Sequence, residues 1–234
     1  MAQKTLTAVG NAQLDTAQVK FGTASLLCDG TTDGATIPDD ADFNFAAGNF
    51  TVEFFVRFNS TAALIVLFEQ FNTATRSIAI YWNTDNTLHF AYSTDGTTSI
   101  DTGRSWTPST NTWYHVAFVR NGNNGQLYVD GTAVGTVYDL TGLTIFNSTA
   151  TVGIGLNSQD SAYSLNGWLD ELRVGKLARY TANFTPTTSQ FTYDANNVLL
   201  CHFDGTDGST TFTDSSADTS DVSGGRSGLQ SKIW

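Results

Sequence analysis

The clearest signal along the chain is a two-residue alternation of apolar and polar positions. In 50–58 (FTVEFFVRF), Phe50, Val52, Phe54, Val56 and Phe58 share one face, and Thr51, Glu53, Phe55 and Arg57 the other. That pattern predicts a strand with its first face in a core. Residues 113–120 (WYHVAFVR) alternate but are apolar on both sides, which predicts a central strand covered on each face. NGNNG (121–125) then reads as a long polar hairpin tip, followed by a strand over 126–129. Asp130-Gly131 closes that strand with residues that accept positive φ. Further strands are expected over 25–28, 64–70, 77–82, 87–93, 151–156, 167–174 and 197–203, with short edge pieces over 5–20. One helical turn is expected within 39–44 and another within 176–186, ahead of Pro186. From residue 217 the chain is rich in Ser, Gly and Asp and reads as a flexible tail, 217–234.

Composition agrees with strands and turns. Helix-favouring charged residues are scarce: the glutamates are Glu53, Glu69 and Glu171 alone. At 234 residues the chain suits one all-β domain, 1–216, followed by the tail. A net charge of −11, with no run of Lys or Arg, argues against nucleic acid as a partner. No apolar run is long enough to span a membrane, and the N-terminal MAQKTLTAVGN lacks the apolar core of a secretion signal. Synthesis and folding in a cytoplasm are therefore expected, with Cys28 and Cys201 as two buried thiols; a disulfide between them is the alternative. LLCDGTTDG (26–34) is echoed by LLCHFDGTDG (199–208). The echo reads either as a duplication or as two neighbouring strands of one sheet, which would bring the chain ends together.

Four segments taken in order carry a family resemblance: SLLCDGTTDGATIPDDADFNF, NFTVEFFVRF, NTWYHVAFVRNGNNGQLYVDGTAVG and LNGWLDELRVGKLARYTANFTP. Over roughly residues 20–205 the chain resembles the laminin-G-like branch of the concanavalin A-like lectin/glucanase superfamily. The resemblance implies an all-β, two-sheet antiparallel jelly-roll sandwich. TLTAVGNAQLDTAQVKFG (5–22) and LLCHFDGTDGSTTFTDSS (199–216) are similar to segments of bacteriophage tail and virion proteins, where they run in the opposite order. A domain permuted, or cut from a tandem array, at the 199–216/5–22 junction is implied. Its C-terminal segment then either folds back beside residues 5–28 or completes a neighbouring subunit's sheet. Folding back is expected, since it leaves no open edge. The implied role is a virion surface protein, a capsid decoration or tail-appendage adhesion module. Its partners would be other virion proteins and glycans of the host surface or environment, with self-association among the modes of attachment.

Catalysis is not expected. The superfamily's glucanases carry Glu-x-Asp-x-x-Glu on one strand, and retaining hydrolysis needs two carboxyls about 5–5.5 Å apart. Here Glu53 has no carboxylate on its strand, and the adjacent Asp170 and Glu171 should face opposite sides of the sheet. No GxSxG accompanies His89, His115 or His202; His115 reads as a hydrogen-bonded sheet residue. Glu53, Arg57, Glu171 and Arg173 are expected to form cross-strand ion pairs. Lectin relatives hold Ca²⁺ at the sandwich rim, and motif matching points to Asp29, Asp170 and Asp33, with Asp204 behind; turn capping is the competing role. For sugar, the aromatic platforms expected are Trp106, Trp82, Tyr81 and Tyr163, with Trp113 and Trp168 in the core. The remaining readings are a free Ca²⁺-dependent lectin and, least favoured, a glucanase-like hydrolase.

Overall fold

The structure, a computed structural model, describes residues 2–216. The expected tail lies outside the described residues. Fifteen strands are joined by turns and by longer connections, among them 176–196: β1 (Thr7–Val9), β2 (Gln13–Asp15), β3 (Ser25–Asp29), β4 (Gly34–Ile37), β5 (Phe50–Phe58), β6 (Ile65–Phe71), β7 (Arg76–Asn83) and β8 (Thr87–Tyr92). They continue with β9 (Ile100–Ser105), β10 (Trp113–Asn121), β11 (Asn124–Val129), β12 (Thr132–Asp139), β13 (Val152–Ile154), β14 (Asn166–Gly175) and β15 (Asn197–Cys201). A 3-10 turn at Ala41–Phe43, capped by the Asp40 side chain, fills the place where a helical turn is expected. Residues 176–186 form no helix. Ala178, Tyr180 and Phe184 are instead drawn onto the sheet, where they pack against Ala117, Val119 and Tyr128.

The strands form two antiparallel sheets. One has the order β1-β4-β13-β6-β7-β8-β9; the other runs β12-β11-β10-β5-β14-β3-β2, with β15 also on β14. Between them lies one large core in which Phe90 stacks on Phe118 at 3.4 Å between centroids. The apolar face of β5 (Phe50, Val52, Phe54, Val56, Phe58) is completely buried there, as the alternation requires. The second sheet is covered on its outer side as well, by residues 176–196 and the aromatic rings of Phe191, Tyr180 and Phe184. That explains why β10 is apolar on both faces. The 121–125 tip is shorter than expected: Asn121 pairs with Asn124, leaving a two-residue turn with Gly122 at φ 60°. Asp130 and Gly131 are both at positive φ, the geometry of a primed two-residue hairpin turn.

β3 and β15, the two echo strands, lie in one sheet but do not pair with each other. Leu26–Asp29 pair with Leu169–Asn166, while Asn197–Cys201 pair with Gly175–Leu172. They run end to end along one edge of β14, whose other edge is taken by β5. The segment after β15 lies against the N-terminal residues: Leu14 N–H donates to Ser209 O, Gly208 N–H to Leu14 O, and Lys4 N–H to the Asp214 carboxylate. Cys28 and Cys201 are free and buried.

Candidate functional site

The outer face of the seven-stranded sheet carries a groove. Strands β7 and β8 alternate, so Ile78, Ile80 and Trp82 of β7 and Leu88, Phe90 and Tyr92 of β8 enter the core, whereas β6 shifts register twice against β7 and sends the adjacent Leu67 and Phe68 inward together. Ala79, Tyr81, His89 and Ala91 then face outward. Small Ala79 and Ala91 make a floor, Leu64, Val66 and Phe71 an apolar flank, and Tyr81 a wall, around a volume of about 190 Å³. Tyr81 and His89 pair directly across β7 and β8, and their rings stack at 4.4 Å and 13°. Asp101 on β9 ties the stack together: its carboxylate accepts from the Tyr81 hydroxyl and lies 2.8 Å from His89 Nδ1. Partial burial pushes the Asp101 carboxyl up, but these two hydrogen bonds outweigh burial and hold it below its ordinary value. The groove thus presents a fixed aromatic ring beside ionised and amphoteric oxygen groups.

At the other end sits Glu69, buried, with Ser158 N–H donating to it at 2.9 Å. Burial raises its carboxyl from 4.5 to about 7. An acid with that value invites comparison with a glycosidase. Glu69, Ala79, Ala91 and Asp101 stand in register across four adjacent strands. Three strand spacings put the two carboxyl-bearing positions roughly 14 Å apart, and the Glu69 carboxylate bonds Ser158 while Asp101 bonds Tyr81 and His89. Even an inverting pair needs about 6.5–9.5 Å. Glu69 therefore has a stability signature. Because its folded value is raised, its contribution is complete below pH 4.5 and is lost as pH rises through about 7. Glu69→Gln is expected to remove a decline on the order of 2–3 kcal/mol between pH 4.5 and 7.5, read by urea melts across pH. An unchanged slope in the variant would refute this.

The other expected platforms separate. Trp82 is not a platform: it is 2% exposed, packed near Phe58, because it continues the Ile78–Ile80 face. Trp106 is also withdrawn, wedged edge-on to Tyr114 and against Phe58, with its carbonyl accepting from the Trp82 indole. Tyr163 is 54% exposed, and its carbonyl accepts from Val66 N–H, but it is not among the residues that line the groove. Trp113 and Trp168 lie outside the main core, on the outer side of the second sheet. Trp113 packs against the Phe55 cluster, and Trp168 donates to Asp15 beneath the Arg57 guanidinium. Of the residues brought together at the groove, Tyr81 was expected as a platform from the sequence, and His89, Asp101 and Glu69 were not. The outward alternation in YWNTDNTLHF was the available signal for His89.

The aspartates expected around a metal do not converge. Asp33 is buried and accepts from Asn11 N–H and Asp29 N–H, while Asp29 accepts from Thr31 N–H. These are turn-capping bonds. Burial raises the Asp33 carboxyl, and its hydrogen bond to Asp29 lowers that of Asp29. Asp170 lies on β14 opposite Phe55, away from the β3–β4 turn, and takes Lys20 and Phe21 N–H on one oxygen. Asp204 is held by Thr23 and Gln190. The three aspartates Asp29, Asp33 and Asp170 do not fit one ion, and no group of three or more ligating side chains is placed for one among the described residues.

Asp170 and Glu171 also depart from expectation, because they do not face opposite sides. A bulge sets two residues of β14, Glu171 and Leu172, between the Asp170–Phe55 and Arg173–Glu53 pairs, with Glu171 at φ 52°. Both carboxylates consequently reach the outer side, where Glu171 accepts from Phe191 N–H and His202. Each residue is fully buried, so the pair is closed to substrate. Of the expected ion pairs, Glu53–Arg173 forms at 2.7 Å, Arg57 covers Trp168 instead, and Glu171 takes His202. His115 is a bonded sheet residue, its Nε2 3.1 Å from Glu53.

No curated protein matches the chain in sequence. Solved structures do match it in shape. The binding domain of Paraclostridial mosquitocidal protein 1 superposes with a TM-score of 0.60 at 16% identity, over 76% of this chain and 45% of that one. The botulinum neurotoxin serotype D ligand-binding domain in complex with N-acetylneuraminic acid gives 0.56 at 14%, over 76% and 43%. A candidate carbohydrate-binding protein from Bacteroides ovatus gives 0.55 at 14%, over 88% and 53%. The chain spans about half the length of these structures, and at such identities they show a shared fold. Residues 29–183 match the family described as the concanavalin A-like lectin/glucanases superfamily, and with its paired seven- and eight-stranded sheets the chain belongs to that superfamily.

Proposed function

We propose that this domain is a non-catalytic glycan-binding module displayed on the surface of a bacteriophage particle. The observation that carries glycan binding is the open groove on the seven-stranded sheet. Its Tyr81 ring is fixed by His89 and Asp101 and stands over an alanine floor. An apolar sugar face stacks on such a ring while its hydroxyls bond the groove's oxygens. The groove's groups are side chains already positioned by the sheet, so binding needs no Ca²⁺. The separation of Glu69 and Asp101 supports binding without hydrolysis. Display on a virion is supported by the resemblance of 5–22 and 199–216 to phage tail and virion segments. Host-surface or environmental glycans and neighbouring virion proteins are the corresponding partners.

A glycan array with the wild type and Tyr81→Ala tests the first part. Binding by the wild type and a loss of about tenfold in the variant are expected, from roughly 1.4 kcal/mol of stacking and bonding. Retention by Tyr81→Ala would move the site elsewhere, and loss of wild-type binding in EDTA would restore the Ca²⁺-dependent lectin. Mass spectrometry of gradient-purified particles tests display, which the absence of this chain would overturn.

A further inference from the structure

A second recess lies on the opposite side of the sandwich, over the eight-stranded sheet. Its volume is about 300 Å³, and Gln190, Phe191, Tyr193, Leu200, His202 and Ser215 contribute to its lining. Phe191 and Leu200 are buried and form its base, whereas Tyr193 is 42% exposed and stands at its rim.

Each wall is held by buried groups. Phe191 N–H donates to Glu171 at 2.7 Å, and the Arg173 guanidinium lies 4.0 Å from the Phe191 ring centre while also reaching Thr192 O. Ser215 N–H donates to Leu200 O at 2.7 Å, fixing the facing wall. His202 is oriented by its Nδ1, 2.9 Å from the fully buried Glu171. A proton on Nδ1 is what a carboxylate acceptor demands, so Nε2 is the ring atom left to meet a ligand. Gln190 donates its amide to Asp204, which leaves its carbonyl oxygen as an acceptor.

We propose that this recess is a second sugar site, taking one neutral hexopyranose against the Tyr193 ring with its hydroxyls on His202 Nε2 and Gln190 Oε1. In its ligand class the proposal rests on the glycan-binding reading above, but it uses none of the groove's residues. The volume suits a single sugar ring, and the wall offers two acceptors for sugar hydroxyls, Gln190 Oε1 and the Nε2 of a neutral His202, the latter turning donor when the ring is protonated. Charge selects against acidic sugars. Asp170, Glu171 and Asp204 act on His202 and raise its basicity against the opposing effect of burial, and Arg173 is committed to Glu53. A carboxylate ligand would meet Glu171 and Asp204, two acids against the single charge of a protonated His202, while Asp170, pushed up by burial to about 8, adds little. With the groove on one outer face and this recess on the other, one domain would hold two glycans from opposite sides.

The test is NMR titration of the full chain with the methyl glycosides of glucose, galactose and mannose, and with glucuronic acid, following the His202 imidazole. A saturable shift with at least one neutral glycoside and none with glucuronic acid is expected. Tyr193→Ala should weaken that binding by about tenfold with an unchanged melting temperature, and Tyr81→Ala should leave it intact. No His202 shift with any neutral glycoside would overturn the proposal, as would equal binding of glucuronic acid. A response lost in Tyr81→Ala but kept in Tyr193→Ala would also overturn it, assigning the sugar to the groove alone. Conversely, a His202 response alongside an array signal insensitive to Tyr81→Ala would sink the groove and leave this site standing.

Discussion

Glu53→Ala is expected to destabilise the domain by about 3–5 kcal/mol, which for a chain of this size lowers the melting temperature on the order of 10 °C. Glu53 is completely buried on the outer side of β5. It takes Arg173 at 2.7 Å, His115 at 3.1 Å and the Tyr180 hydroxyl at 2.8 Å. Burial alone would push its carboxyl up, but the His115 hydrogen bond and the Arg173 charge outweigh burial and hold it below its ordinary value. Such a group stabilises the fold above pH 4.5, and that contribution is lost as pH falls through its lowered folded value. Truncation to alanine leaves Arg173 buried without its anion and the Tyr180 hydroxyl without an acceptor. The damage follows from what remains unpaired more than from the bond removed. Glu53→Gln keeps the volume and part of the bonding, so a smaller loss is expected. Thermal and urea melts measure both, and a shift under 2 °C for Glu53→Ala would show that the cluster contributes little.

Asp214→Ala should cost about 3 kcal/mol, with a specific pattern of damage. Asp214 is buried beside β15 and accepts from the backbone N–H groups of Lys4, Leu200 and Ser216 and from the Ser216 hydroxyl. It therefore joins residues 2–6 to the 199–216 segment across the whole length of the chain. Without it three backbone donors are left buried with no partner, each costing roughly 1–3 kcal/mol before relaxation. Hydrogen exchange at Lys4 and Leu200 should accelerate together, and Asp214→Asn, which keeps one acceptor oxygen, should recover part of the protection. Independent exchange at the two positions would show that the ends are not coupled through this side chain.

Much of the architecture was legible in local pattern. The strands at 50–58 and 113–121 follow directly from two-residue alternation, and the double apolar face of 113–120 correctly announced cover on both sides. The strand at 166–175 was legible as a strand but not in its facing, because a bulge breaks the alternation. β4, β9 and β12 were not legible. β9 and β12 are largely exposed strands whose sequences, IDTGRS and TAVGTVYD, carry little apolar alternation. They exist because a neighbour supplies their hydrogen bonds. In the candidate groove only the outward position of Tyr81 was legible, from alternation, and Trp82 was misplaced when its own strand's Ile78 and Ile80 already pointed it inward.

The amino-acid sequence by itself determined the fold class, the core-facing side of the regular strands β5 and β10 and the absence of a glucanase carboxylate motif, because these depend on residue type at short fixed spacings. Register and cover were decided only in three dimensions. Strand register stacked Tyr81 on His89 and set Asp101 beside them, and the β14 bulge turned Asp170 and Glu171 to one side. The 176–196 segment closed over Glu53 while the opposite sheet kept its groove. Each of these outcomes depends on which distant segment supplies the partner for a hydrogen bond or an apolar face, and no local pattern encodes that choice.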